Sequence, residues 1–139
     1  MISFVYISSA TKDFSQDELL KLLEQSRSRN ATLDITGMLL YANGTFMQVL
    51  EGEEKNVLDV YDSILRDKRN AGNYVVQKKP IEERNFPTWS MGFKNLSGEE
   101  KMKVPGFSPF LSQQLEPGDI ARHADTVVRL LFSFKEQSD

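Results

Sequence analysis

Ile35-Thr36-Gly37-Met38-Leu39-Leu40-Tyr41-Ala42-Asn43-Gly44-Thr45-Phe46-Met47-Gln48-Val49-Leu50 holds two apolar runs separated by Asn-Gly. Asn-Gly readily takes the positive φ angles of a tight hairpin turn, so residues 35–41 and 45–50, joined through Ala42-Asn43-Gly44, are predicted to pair as an antiparallel hairpin. Upstream, Ile2-Ser3-Phe4-Val5-Tyr6-Ile7 is rich in β-branched and aromatic residues and reads as another strand, with Ile2, Phe4 and Tyr6 on one face. Between that strand and the hairpin, Ser15 and Glu18 form a capping box flanked by Phe14 and Leu19, which starts a helix at Gln16. Its apolar positions Leu19, Leu20, Leu22 and Leu23 are expected to face the core, and the polar stretch Ser26-Arg27-Ser28-Arg29-Asn30 closes it.

Beyond Gly52, the residues Val57, Val60, Tyr61, Ile64 and Leu65 recur at helical spacing up to Arg66-Asp67-Lys68-Arg69, with Gly72 as the expected break. Two further strands are predicted over 74–77 and 89–93. The order is therefore β-α-β-β-α-β plus an additional strand, which implies an α+β fold of the ferredoxin-like sandwich kind. Two helices cover only one face of such a sheet. Residues 97–139 are the expected cover for the other, through a short helix at 99–103 and a second from about Asp119 carrying Ile120, Ala124, Val127, Leu131 and Phe134. That stripe fits core packing or a seam between proteins.

At 139 residues the chain fits one domain with a sizeable core. It has no cysteine, which excludes disulfides, thiol catalysis and cysteine-held metal, and a single histidine, His123. No phosphate-cradling glycine loop is present, and the net charge of −3 offers nucleic acid no basic footprint. No apolar run is long enough to cross a bilayer and no signal peptide is visible, so a cytoplasmic protein bound to neither nucleic acid nor membrane is expected. Glu51, Glu53 and Glu54 sit at a strand-to-helix junction, where capping is the expected role.

Polar side chains at positions of predicted burial carry more information. Period-two alternation puts Gln48 among Phe46 and Leu50, and Tyr6 beside Phe4. A buried amide or phenol needs a partner, because leaving one unsatisfied costs about 1–3 kcal/mol. Bonding to each other or to backbone meets that need. With Asn30 at the end of the first helix and Arg69 at the end of the second, the set also suits a flat ligand with a polar edge. Asn30 and Gln48 can grip an imide-like edge, and Arg69 can neutralise carbonyl or phosphate oxygens. Trp89, Met91 and Phe93 form one more alternating row.

Taken in order, these residues resemble the BLUF family of blue-light sensors that use flavin. The resemblance spans about 1–95 and rests on Tyr6 and Ser8; Ser26, Asn30 and Ile35-Thr36-Gly37-Met38-Leu39-Leu40-Tyr41; Phe46-Met47-Gln48-Val49-Leu50-Glu51-Gly52; Asp67 and Arg69; and Trp89-Ser90-Met91-Gly92-Phe93. It implies a flavin-binding domain over 1–95, a helical extension over 96–139, and a noncovalently held flavin between the two helices. FAD is the expected cofactor, with FMN and riboflavin as alternatives. Tyr6, Ser26, Asn30, Gln48, Asp67, Arg69 and Asn70 fall at cofactor-binding positions. By resemblance, Tyr6 gives an electron and a proton to the excited flavin. Gln48 relays the proton and ends in a rearranged hydrogen-bond pattern, with a small red shift and no net redox change. Trp89 and Met91 fall on the strand associated with signal output. Arg29 and Asn70 stand where relatives often carry other residues.

The expectation is a photoreceptor rather than an enzyme, of the short type that signals through a separate protein and assembles as a homo-oligomer. A small hydrolase on the same sandwich, of the acylphosphatase kind, is disfavoured because Thr11-Lys12 occupy the loop where its arginine belongs. A flavin-free regulatory module is the remaining alternative.

Overall fold

A computed structural model describes residues 1–42, 44–87, 89–95 and 124–132. The elements run β1 (Ile2–Ala10), α1 (Gln16–Thr32), β2 (Thr36–Ala42), β3 (Thr45–Gly52), α2 (Glu54–Arg66), β4 (Asn70–Pro80), β5 (Gly92–Asn95) and α3 (Ala124–Phe132). The strands form one mixed sheet in the order β4-β1-β3-β2-β5. β1 lies antiparallel between β3 and β4, β2 and β3 form the hairpin, and β5 joins β2 in parallel. This is the ferredoxin-like arrangement with a fifth strand at one edge.

Both faces of the sheet are covered, which explains why β2 reads as an almost unbroken apolar run. On one face Phe4, Leu39, Tyr41, Phe46 and Leu50 pack with Leu19 and Leu23 of α1 and Val57, Val60 and Tyr61 of α2. On the other, Val5, Ile7, Met38, Leu40, Met47 and Val49 pack with Phe86 and with Val127, Leu130 and Leu131 of α3. The described part of the C-terminal apolar stripe is therefore core. The expected helix at 99–103, His123 and the stripe positions Ile120 and Phe134 lie outside the described residues, as does the side chain of Ala124.

Local signals operate as the residues dictate. Ser15 accepts from the Glu18 amide and Glu18 returns the bond to the Ser15 amide, closing the capping box at Gln16. Ala42 pairs directly with Thr45 and Gly44 takes φ 79° in the hairpin turn; Asn43 is outside the described residues.

Several expectations are corrected. α1 continues through the polar stretch to Thr32, because Ser26 and Asn30 fall on its buried face. Leu20 and Leu65 point outward, 47% and 49% exposed, since each lies one helical step off its core face. α2 ends at Arg66, and Gly72 lies inside β4, where the β1 pairing shifts register between Ile7 and Ser9. Strand β5 begins at Gly92, not at Trp89. Trp89 and Met91 consequently do not share a row: Trp89 packs toward the α3 face and Met91 toward the α1/α2 face.

Candidate functional site

A cleft of about 570 Å³, counting the space at its open mouth, lies on the α1/α2 face of the sheet. Its lining includes Tyr6 and Ser8 of β1, Leu39 of β2, Phe46 and Gln48 of β3, Ser26 and Arg29 of α1, Ile64 of α2, and Asp67, Arg69 and Asn70 after α2. Apolar walls from Leu22, Leu39, Phe46 and Ile64 face polar groups at the edges.

Tyr6 and Gln48 meet because β1 and β3 are in a register that places them directly opposite. The Tyr6 hydroxyl donates to Gln48 Oε1 at 2.5 Å, and both residues are buried. The Tyr6 ring also lies against Tyr61, with centroids 5.2 Å apart. Burial pushes the Tyr6 phenol well above its ordinary value, partly opposed by the Arg29 guanidinium, so it stays protonated. Burial raises Tyr61 as well.

On its other side Gln48 Nε2 donates to Met91 Sδ at 3.3 Å. A thioether is a weak acceptor. The amide is thus held firmly at its oxygen and loosely at its nitrogen.

Arg69 and Asp67 form a compact unit. Arg69 Nε donates to both carboxylate oxygens of Asp67 and Nη2 to Oδ2 at 2.6 Å, while Nη1 reaches Gln25 Oε1. The pair holds the Asp67 carboxyl below its usual range and raises Arg69. Asn70 donates to the carbonyls of Ile64 and Asp67, tying off the end of α2. Ser26 Oγ donates to Leu22 O within α1.

Six of the seven expected cofactor positions therefore line one cleft: Tyr6, Ser26, Gln48, Asp67, Arg69 and Asn70. Asn30 does not. It is fully buried, donates through Nδ2 to Ser90 O at 3.1 Å and accepts from Arg29 Nε. Together with Arg27 Nε on Met91 O and the Gly37 amide on Trp89 O, it fixes the segment leading into β5. Trp89 lies against Gly92, where a Cβ would come within 2.0 Å of its ring.

Two features escaped the sequence reading. Arg29, marked in the sequence only as a departure from the family pattern, lines the cleft, a placement that helical spacing does not give. Glu51 caps nothing. It is fully buried, and Oε1 accepts from the amides of Asn85 and Phe86 while Oε2 accepts from Asn85 Nδ2. Period two from Gln48 places it on the α3 face, a signal available in the sequence. Glu53 occupies the N-cap position of α2 without a side-chain capping hydrogen bond, its carboxylate 4.0 Å from the Met1 amino group, and Glu54 pairs with Lys78.

A family profile described as sensors of blue light using FAD matches residues 1–92. Photoactivated adenylate cyclase subunit beta of Euglena longa is 38% identical over 92 residues, covering 66% of this chain and 11% of that protein. The chain thus spans about a tenth of the length of the first such relatives. Among solved structures, the dark state of BlrB, a BLUF protein, matches with a TM-score of 0.71 at 28% identity, covering 91% of this chain and 93% of that one. A bacterial light-regulated adenylyl cyclase matches with a TM-score of 0.67 at 28% identity, over 99% of this chain and 36% of its own.

Proposed function

The chain belongs to the BLUF family, sensors of blue light that use FAD, and from that membership we propose a photoreceptor driven by electron and proton transfer from Tyr6 and by rearrangement of Gln48. Bound flavin supplies the absorption of blue light and, once excited, an acceptor for an electron. The cleft suits such a group: apolar side chains flank a flat ring, while Gln48, Arg29 and Arg69 supply donors for its carbonyl and nitrogen edge. Asn30, buried behind the lining, donates one amide hydrogen to Ser90 O, and under this proposal its second turns to a ring carbonyl when flavin binds.

The observation that carries this reading is the Tyr6–Gln48 hydrogen bond on the cleft wall. A neutral phenol is the form able to give up an electron together with a proton. Loss of the electron acidifies the phenol sharply, and the proton's nearest acceptor is Gln48 Oε1. The amide, held at its other end by the weak acceptor Met91 Sδ, then rotates or tautomerises. Electron and proton return to Tyr6, so nothing is consumed and the altered amide is what persists.

Residues 1–95 act as the sensor and 96–139 as the helical extension under this proposal. In this reading the chain functions without turnover and passes its signal to a separate protein. A cytoplasmic homo-oligomer completes the proposal. Its interface must lie away from Val127, Leu130 and Leu131, which are buried within the chain, and light scattering gives its subunit number.

FAD-reconstituted protein should show a reversible red shift of its blue band on illumination. Tyr6→Phe should keep the flavin and lose the shift. A shift of normal size in Tyr6→Phe refutes the mechanism.

A further inference from the structure

Arg29 and Arg69 line the same cleft but differ in what surrounds them. Arg69 is bonded along its length by Asp67 and Gln25. Arg29 makes one long hydrogen bond, Nε to Asn30 Oδ1 at 3.3 Å, and has no carboxylate within ion-pair distance among the described residues. With two guanidiniums and one carboxylate, Asp67, the described lining carries one surplus positive charge. That charge is half-buried, and burial lowers the Arg29 pKa while leaving the group cationic. It lies near enough to Tyr6 to act on the phenol electrostatically. Away from the cleft, Lys21 and Glu24 share a shallow groove with Arg29 and offset one another.

A partly desolvated cation favours whichever form of a neighbouring group carries negative charge. The oxidised flavin ring is neutral, whereas the fully reduced ring at neutral pH is largely anionic. Resting on the flavin reading above, we propose that Arg29 faces the electron-rich edge of the bound ring and makes this cleft bind reduced flavin more tightly, relative to oxidised flavin, than the cleft without it. Arg29 is then a positioning residue that eases electron transfer from Tyr6, and the charge alone is responsible.

The test is the midpoint potential of FAD bound to the full chain, measured by reductive titration against a reference dye, for wild type, Arg29→Gln, Arg29→Lys and Asp67→Asn. Arg29→Gln should lose about tenfold in the preference for reduced flavin, a fall of about 30 mV for a two-electron couple. Arg29→Lys should stay near wild type. Asp67→Asn, which removes the negative charge from the lining, should shift the potential upward. Binding of oxidised FAD to Arg29→Gln is titrated alongside, so that the ratio of reduced to oxidised affinity is read directly. An unchanged potential in Arg29→Gln, or an equal fall in Arg29→Lys, overturns the proposal, and so does loss of FAD from both variants when circular dichroism shows them folded. Should Arg29→Gln fail to fold, the upward shift in Asp67→Asn and the retained value in Arg29→Lys decide the matter. Wild type that takes up no FAD removes the photoreceptor reading and this inference together, whereas yellow wild type with a charge-insensitive potential removes this inference alone.

Discussion

Tyr6 and Gln48 were legible as a pair of buried polar residues because strand alternation is rigid: once Phe4 and Phe46 face the core, so do they. Their being opposite one another is a matter of register, which the hairpin and the β1–β3 pairing set and single-strand periodicity does not. Arg29 stands out in the sequence only as a departure from the family pattern beside Asn30, and its place in the cleft is not legible there, since an arginine in the last turn of a helix fits a solvated end as readily as a cleft. Burial raises the Tyr6 pKa above the ordinary 10.0, so the folded state holds that proton more tightly than the unfolded chain. The associated stability is complete below pH 10 and declines above it. Denaturation midpoints should therefore fall in alkaline solution, and less so in Tyr6→Phe. Asp67 has the opposite sign: its lowered pKa contributes stability above the unfolded value of 3.8, lost as pH falls below it. Asp67→Asn should flatten that acid limb.

Elements follow the sequence well where a regular period runs through them and poorly where it stops. The capping box fixes the start of α1 and Asn-Gly the hairpin, but residues 84–87 and 89–91 follow no period, and their conformation is dictated by distant partners. Arg84 donates to Asp34 O, Thr36 Oγ1 and Glu51 O, while Glu51 holds Asn85 and Phe86. Glu51→Gln replaces an acceptor oxygen with a donor that faces donors, a loss of about 2–3 kcal/mol. Urea unfolding should show it, while the bound flavin spectrum stays unchanged because Glu51 faces away from the cleft. Trp89 was expected on a strand beside Met91; instead its ring needs the space that Gly92 leaves. Gly92→Ala should displace the indole, visible as a changed Trp fluorescence with the Tyr6–Gln48 bond intact.

Across the molecule, the two faces of the sheet connect through the segment preceding β5. Gln48 touches Met91 on the cleft side, and on the far side Trp89 stacks near Phe86, which stacks in turn on Phe132 of α3. A change in the Gln48 amide therefore has a packed route to α3, a route argued from adjacency and open to direct test. Phe86→Ala should cost about 3–5 kcal/mol and increase hydrogen exchange in α3, and it should remove any difference in α3 exchange between light and dark while leaving the red shift in place. Persistence of that light-dependent difference in Phe86→Ala rules the route out. Sequence reading anticipated that a helix covers this face from Val127 and Leu131, but not the aromatic stack, because Phe86 belongs to an irregular stretch. The account turns on Tyr6 and Gln48 as a light-switched hydrogen-bond pair. The infrared light-minus-dark difference spectrum of FAD-loaded protein, with glutamine isotopically labelled, reads it most directly. Bands of the Gln48 side chain should shift on illumination, recover in the dark and vanish in Tyr6→Phe; a difference spectrum without any glutamine contribution contradicts the account.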